Sequence, residues 1–187
     1  GNGSTDVRYV SPIQIGALTN WKSVVIGNLH TVAIKTDGTL WSIGGRNNYG
    51  QLGNGNTTSY SSPIQIGLLT NWKQVSASEQ TMAVKTDGTL WAWGRNYYGS
   101  LGNGTSGTYY SSPIQIGALT NWKQVSVGAN HWGAIKTDGT LWMCGYNSRT
   151  VLGNGNSISY SSPVQIGTET NWKQVSCGYT TTQAIKT

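Results

Sequence analysis

The chain has 187 residues, long enough for one domain with a buried core and short enough to form part of a larger one. It contains 26 Gly, nine Trp and ten Tyr, no Phe, and only 10% charged residues. That composition disfavours a helical protein with charged surfaces and favours an all-β protein rich in turns. The formal charge of +6 comes from 12 Lys plus Arg against six Asp plus Glu, with no run of like charges. A nucleic-acid-binding protein would cluster such charges, and no segment approaches the roughly 20 apolar residues of a membrane-spanning helix.

Self-comparison organises the chain. SPIQIG stands at 11–16, 62–67 and 112–117, and SPVQIG at 162–167, so prolines fall at 12, 63, 113 and 163 with spacings of 51, 50 and 50. TNWK recurs around Trp21, Trp72, Trp122 and Trp172, and GNG recurs from Gly1, Gly53, Gly102 and Gly153, whereas TDGTLW occurs three times. The units of this single domain are approximately 1–20, 21–70, 71–120, 121–170 and 171–187.

Residues 1–20 read as the outer strand of a preceding unit. Each full unit then predicts four strands, marked by β-branched and aromatic runs between turn signals. In the third full unit these are strand A, KQVSVG at 123–128; strand B, WGAIKT at 132–137; strand C, TLWMCG at 140–145; and, after a long loop, strand D, SPVQIG at 162–167. Asp138-Gly139 between B and C predicts a two-residue type I′ turn with positive φ at both positions. D following its proline suits an outer strand whose first N–H has no partner. The last unit stops after A and B. Four antiparallel strands per unit, repeated with short connections and without any helical period, predict the blades of a β-propeller.

The stretch GNLHTVAIKTDGTLWSIGGRNNYGQLGNG at 27–55 and its fainter copies resemble the bacterial type of regulator of chromosome condensation repeat, across essentially the whole sequence. The double glycine of kelch repeats has a counterpart only at Gly44-Gly45. The resemblance implies a ring of seven blades, of which about three and three-quarters are present. A fourth DGTLW is missing after Lys186, which would leave a strand edge unpaired. A longer array is the first explanation, and self-association with a partner molecule that completes the ring is the second. Members of the family include a chromatin-bound nucleotide exchange factor for a small GTPase, a plant UV-B photoreceptor and a secreted bacterial inhibitor of β-lactamase. The photoreceptor's Trp after the Gly of Gly-x-x-His-Thr has no counterpart: Gly27, His30 and Thr31 fit the frame, but Asn28, Ala129 and Tyr179 stand at the Trp position. Nor is there an insertion suited to an exchange-factor wedge. What the resemblance implies is a rigid ring binding a macromolecule across one face.

Consecutive connections of a four-stranded antiparallel blade alternate between the two faces of the disk. The B–C turns and D–A connections therefore share one face, and the A–B and C–D loops share the other. Lys22, Lys73, Lys123 and Lys173 at the start of A, and Lys35, Lys85, Lys136 and Lys186 near the end of B, belong to the turn face. With Asp37, Asp87, Asp138 and Glu169 that face sums to 8 − 4 = +4 and reads as a solvated basic rim. Arg8, Arg46, Arg95 and Arg149 against Asp6 and Glu79 give the loop face +2. Turn-face segments barely change between units, while the loops vary: Asn28-Leu29-His30, Ser78-Glu79-Gln80, Ala129-Asn130-His131 and Tyr179-Thr180-Thr181 in A–B, and GGRNNYGQ, GRNYYGS and GYNSRTV at the start of C–D. A fixed skeleton with one variable face suggests a scaffold carrying a recognition surface.

Catalysis finds little support. His30 and His131 alternate with Gln80 and Thr181 at equivalent places, which reads as a structural hydrogen-bonding position. The Asp residues serve hairpin turns, the GNG glycines serve tight turns because no helix follows to bind phosphate, and Cys144 and Cys177 read as buried free thiols. Trp41, Trp91 and Trp142 read as packing between blades. The TNWK tryptophans read as packing inward, or as platforms stacked by a lysine. No enzyme activity, metal or cofactor is expected. The candidate binding residues are Asn28, Leu29, His30, Asn48, Tyr49, Glu79, Gln80, Tyr97, Tyr98, Asn130, His131, Tyr146, Arg149 and Tyr179. Tyr beside Asn, Arg and Ser suits adaptable protein contacts, so a protein is the expected partner. Lectin-like glycan binding at repeated sites and a structural surface or filament role are the alternatives. Low charge and abundant Asn, Ser and Thr suggest an exported or surface protein of a bacterium, although NGS at 2–4, NTT at 56–58 and NGT at 103–105 fit the glycosylation pattern by chance in such turns.

Overall fold

The structure, a computed structural model, describes residues 14, 15 and 17–187. The Pro12 strand, Asp6, Arg8 and the first GNG lie outside these residues. The first blade comprises β1 (Trp21–Ile26), β2 (His30–Lys35), β3 (Leu40–Gly44) and β4 (Tyr60–Gln65). The second comprises β5 (Trp72–Ala77), β6 (Gln80–Lys85), β7 (Leu90–Gly94) and β8 (Tyr110–Gln115). The third comprises β9 (Trp122–Val127), β10 (His131–Lys136), β11 (Leu141–Gly145) and β12 (Tyr160–Gln165), and a fourth is represented by β13 (Trp172–Cys177) and β14 (Thr182–Lys186). Each four-stranded sheet is an antiparallel meander in sequence order, as the all-β propeller reading requires.

Two local expectations are corrected. Strand D begins three residues before its proline, at Tyr60, Tyr110 and Tyr160, and stands at the sheet edge. Pairing jumps from Met143–Val164 to Gly145–Tyr160, so Pro163 sits inside a bulge where its missing N–H costs no ladder bond. The B–C turn is a three-residue loop rather than type I′. Gly38 N donates to Lys35 O at 3.0 Å and Lys35 N to Thr39 O at 3.0 Å. Gly38 takes φ +79°, while Asp37 is not among the residues with positive φ. One left-handed residue suffices for this turn with its bulge. Asp37 contributes instead through its carboxylate, which accepts from Thr39 N at 2.9 Å and Thr39 Oγ1 at 2.7 Å.

The face assignment follows from contacts within and between blades. A Cβ on Gly38 would collide with Thr70 O, and Thr86 N donates to Asn71 O at 2.9 Å, so the B–C turns and D–A connections meet. At the other end Asn28 N donates to Ser78 O at 2.9 Å, and Tyr146 N to Asn130 O at 2.8 Å, so the A–B and C–D loops meet. The A strands of successive blades lie beside one another. Gln74 Nε2 donates to Val125 O at 2.7 Å while Val125 N donates back to Gln74 Oε1 at 2.9 Å, and Val127 N donates to Ser76 Oγ at 3.0 Å. Gln124 and Ser126 repeat this clamp on Val175 and Cys177.

The core lies between blades, not within them. One cluster joins Met82, Val84, Leu90 and Ile116 of the second blade to Trp122, Val125 and Trp132 of the third. Its neighbours join the first blade to the second through Ile34, Leu40, Trp72 and Trp93, and the third to the fourth through Met143, Leu152 and Val175. Cross-strand pairs trade volume to fill these layers. Trp93 of β7 faces Thr81, whereas in the third blade the indole comes from Trp132 of β10, opposite Cys144. Each indole covers a glycine of the preceding blade, with a Cβ on Gly53 falling 2.6 Å from Trp93 and one on Gly102 falling 2.7 Å from Trp132. Val32 faces Ser42, Met82 faces Ala92, and Gly133 faces Met143.

That last exchange is testable. A Cβ on Gly133 would lie 2.7 Å from Met143 Sδ and 2.8 Å from Val175 Cγ2, so Gly133→Met should destabilise the fold by about 1–3 kcal/mol through overpacking. Adding Met143→Ala reproduces the second blade's pairing and should recover most of the loss in urea unfolding. Additive destabilisation in the double variant would show that the two positions do not share one volume.

Candidate functional site

Three sets of side chains hold the frame on which the loops stand. The first lies near the turn face. Lys35 Nζ stands 3.7 Å from the Trp41 ring centroid and 5.1 Å from that of Trp21. Lys85 stands 3.7 Å from Trp91 and 4.8 Å from Trp72, and Lys136 stands 3.5 Å from Trp142 and 4.9 Å from Trp122. These lysines are buried, which corrects the rim reading for them; Lys22, Lys73, Lys123 and Lys173 are exposed. Trp72 and Trp122 pack inward and carry a stacked lysine as well, one supplied by strand B. Burial lowers the Lys85 and Lys136 pKa values, against the opposing pull of Asp87 and Asp138. The Asp carboxyls are held below their usual range first by their threonine hydrogen bonds.

The second set is the His position. His30 Nε2 pairs with Thr81 Oγ1 of the next blade at 2.8 Å, and Thr81 Oγ1 donates its hydrogen to Gln51 O at 3.0 Å. Nε2 must therefore carry the proton, leaving Nδ1 buried without a partner. A Cβ on Gly27 would fall 2.6 Å from the ring, so only glycine fits there. His131 pairs with Thr182 Oγ1 at 3.0 Å and Gln80 Nε2 donates to Gly128 O at 3.4 Å. His30, Gln80 and His131 are thus blade-to-blade ties with buried side chains, and as exposed contact residues they are corrected.

The third set escaped the sequence reading. Asn47, Asn96 and Asn147 are fully buried. Each Oδ1 accepts from the N–H of Leu52, Leu101 or Leu152 at 2.9–3.0 Å, and each Nδ2 donates across the C–D loop, as from Asn47 to Asn56 O at 3.0 Å and Thr58 O at 2.8 Å. The signal was present: in all three units this Asn stands five residues before the Leu of LGNG.

These anchors lift a ribbon of aromatic side chains across the loop face. Tyr49 and Tyr109 meet at 4.8 Å between centroids, Tyr109 and Tyr97 at 6.0 Å, Tyr97 and Tyr98 at 6.0 Å, and Tyr98 and Tyr146 at 4.5 Å. Arg46 covers Tyr49 at 5.5 Å, and Arg95 lies 4.3 Å from Tyr97 and 5.4 Å from Tyr49 while paired to Glu79. Glu79 Oε1 also accepts from Asn28 Nδ2 at 3.2 Å. Tyr98, Asn130, Tyr146, Arg149 and Tyr179 line a cleft of about 210 Å3 where the third and fourth blades meet, with the His131 ring at its wall. Leu29 and Asn48 are exposed beside the ribbon without joining it. Tyr109, which replaces the Ser59 and Ser159 of the other units, was missed although the Tyr109-Tyr110 doublet marks it. The geometry offers flat aromatic area with guanidinium edges on fixed loops. No group of three or more His, Cys, Asp or Glu suited to a metal occurs among the described residues.

Antiparallel blades clamped strand to strand, with one constant and one variable face, define a β-propeller of the repeat-scaffold class. The chain belongs to the regulator of chromosome condensation (RCC1) repeat family, whose model matches residues 37–84, 87–135 and 138–185, and a second model of the repeat matches 21–51 and 72–100. The longer matched units start at the Asp of each B–C turn and so are offset from the blades. Among solved structures, Prp20p from Saccharomyces cerevisiae, described with its binding properties to Gsp1p and histones, is similar at TM-score 0.78 and 21% identity, covering 91% of this chain and 45% of that one. Yeast RCC1 (Prp20) bound to Kap60 gives TM-score 0.74 and 21% identity over 89% of this chain and 41% of that one. Human WBSCR16 gives 0.67 and 18% over 92% and 59%. At these identities the likeness is one of fold, and the chain spans about half the length of these propellers. No curated protein matches the chain by sequence.

The buried imidazole makes stability pH-dependent. Desolvation lowers the His30 pKa from 6.5 to about 4, and burial lowers that of His131 as well, a hydrogen bond to the Thr181 backbone opposing it. Below pH 6.5 the unfolded state takes up the proton first, so stability present above 6.5 is lost as pH falls towards 4, by about 3 kcal/mol for His30. Urea unfolding between pH 7 and 4 should show this loss, and His30→Gln, borrowing the residue of the second blade, should flatten it. An unchanged slope in the variant would contradict the assignment.

Proposed function

We propose that the chain is a non-catalytic propeller scaffold that docks a protein partner through its loop face, with the Tyr–Arg ribbon as the contact. The observation that carries this reading is the continuity of the ribbon: five tyrosines from three blades stack side to side on the face whose sequence varies, while the opposite face stays nearly constant. Tyrosine gives large contact area at low entropy cost, and Arg46 and Arg149 flank it with charge. The yeast protein whose fold it shares, Prp20, binds proteins, Gsp1p and Kap60 among them, which supports a protein as the ligand class.

The test combines two substitutions that the protein's other units already carry with the loss of one exposed charge. Tyr97→Asn restores the residue of Asn48, Tyr109→Ser that of Ser59, and Arg149→Ser removes the charge at the cleft. A partner captured by the wild-type protein from the proteome of its source organism should bind this triple variant at least about 30-fold more weakly, as loss of one hot spot alone implies, with an unchanged melting temperature. Equal binding by the two proteins would overturn the site.

One observation favours a second reading. Two equivalent clefts of about 360 Å3 open between blades, one bounded by Asn54, Gln65 and Trp91 and the other by Asn103, Gln115 and Trp142. A half-buried indole beside amides suits a sugar ring. Titration with a glycan selected on an array should then give two equal sites per molecule, and one site or none removes this reading.

A further inference from the structure

The aromatic ribbon crosses its two blade boundaries in different ways. The buried asparagines fix the comparison. Arg46, Arg95 and Tyr146 stand one residue before Asn47, Asn96 and Asn147, while Tyr49, Tyr98 and Arg149 stand two residues after them. Arginine and tyrosine have therefore changed places in the third unit. The backbone at the first position is held alike in the second and third blades, since Arg95 N donates to Glu79 O at 3.3 Å and Tyr146 N to Asn130 O at 2.8 Å. Only the side chain differs. Across the first boundary the Arg95 guanidinium lies 5.4 Å from the Tyr49 ring centroid. Across the second the Tyr146 ring takes the guanidinium's place and lies 4.5 Å from the Tyr98 centroid, tilted by 45°. These two rings are closer than any other pair in the ribbon, and their carbons come within van der Waals reach. Tyr98 is 50% exposed and Tyr146 is half-buried, so solvent reaches the pair.

We infer that Tyr98 and Tyr146 form a site of oxidative modification, a dityrosine cross-link that ties the C–D loops of the second and third blades. The oxidant is hydrogen peroxide acting through a haem peroxidase. Each phenol gives up one electron and its hydroxyl proton, leaving a phenoxyl radical whose spin is shared with the ring carbons ortho to the oxygen. One carbon–carbon bond forms between an ortho carbon of each ring. The hydrogen on each of those carbons then passes through water to the phenolic oxygen, which restores both aromatic rings. Two electrons and two protons leave the pair, and with them one peroxide becomes two waters. The arginines direct the reaction to this pair. Arg46 and Arg95 stand 5.5 and 5.4 Å from the Tyr49 ring, and Arg95 stands 4.3 Å from that of Tyr97. A positive charge over a ring opposes the removal of an electron from it. Tyr98 meets a phenol where Tyr49 meets a guanidinium. The link joins positions about fifty residues apart, so it restricts the unfolded chain and stabilises the contact between the two blades.

The test treats the intact, folded protein, kept dilute to suppress links between molecules, with a haem peroxidase and limiting hydrogen peroxide, and maps the product by mass spectrometry. The monomer should lose the mass of two hydrogen atoms and gain dityrosine fluorescence. Tyr98 should be joined to Tyr146 at least about tenfold more often than Tyr49 to Tyr109, the ratio implied by guanidinium cover on one pair alone. Tyr146→Phe keeps the ring and removes the phenol, and should abolish this link with an unchanged melting temperature. The cross-linked protein should unfold at higher urea than the untreated one, and in concentrated urea the preference for this pair should vanish. Equal yields at the two pairs in the folded protein would overturn the inference, as would a preference that persists in urea or a product consisting only of linked molecules.

Discussion

A four-stranded blade has two faces and cannot bury either alone, so the fold is held by burial between consecutive sheets. Trp122 illustrates this. Its indole belongs to β9 but lies in one cluster with Val84 and Leu90 of the preceding blade, and its amide donates to Gly88 O of that blade's turn at 3.0 Å. The Gln and Ser side chains of the A strands add a second tie that recognises backbone rather than shape. Because both ties run from each blade to the next, the repeat can copy them while the sequence elsewhere drifts. The indole slot shows how far the copying loosens: Trp93 and Trp132 fill it from different strands, since the layer requires a volume and is indifferent to its source.

The same constraint explains why variation concentrates on one face. On the turn face each blade's Asp-Gly turn is locked under the next D–A connection, and the buried lysine stands between two indoles, so little can change. On the loop face the buried Asn and the His, Gln or Thr position fix the loop bases and leave their tips free. Tyr98 takes φ +58° within that freedom and Thr150 takes φ +56°, at the place held by Gly50 and Gly99 in the other units. A β-branched residue in the left-handed region is strained. In the first two loops the glycine is obligatory because a side chain there would strike Ser111 or Ser161.

Blades, strand order and the sorting of faces were legible in the sequence because they depend on periodicity and on the parity of a meander. The details that were not legible depend on partners distant in sequence. Strand D started early because its first residues pair across a bulge with Gly44, Gly94 or Gly145, and no local pattern announces a bulge around proline. The turn type was misread because Asp-Gly serves two hairpin geometries, distinguished here by the carboxylate bonding Thr39. Three of the lysines looked solvated because charge predicts exposure, and only the meeting of two tryptophans about twenty residues apart supplies a buried site for an ammonium group. Of the candidate site residues, Tyr49, Tyr97, Tyr98 and Tyr146 came together as a surface, whereas His30, Gln80 and His131 turned inward to tie blades.

The central claim is that stability resides in layers shared by two blades. Native-state hydrogen exchange of the Trp122→Ala variant tests it most directly, since truncating this residue should cost about 3–5 kcal/mol. Protection should fall together in β6 and β7 of the second blade and in β9 and β10 of the third. A loss confined to β9 and its own blade, with the second blade's amides unchanged, would contradict the account.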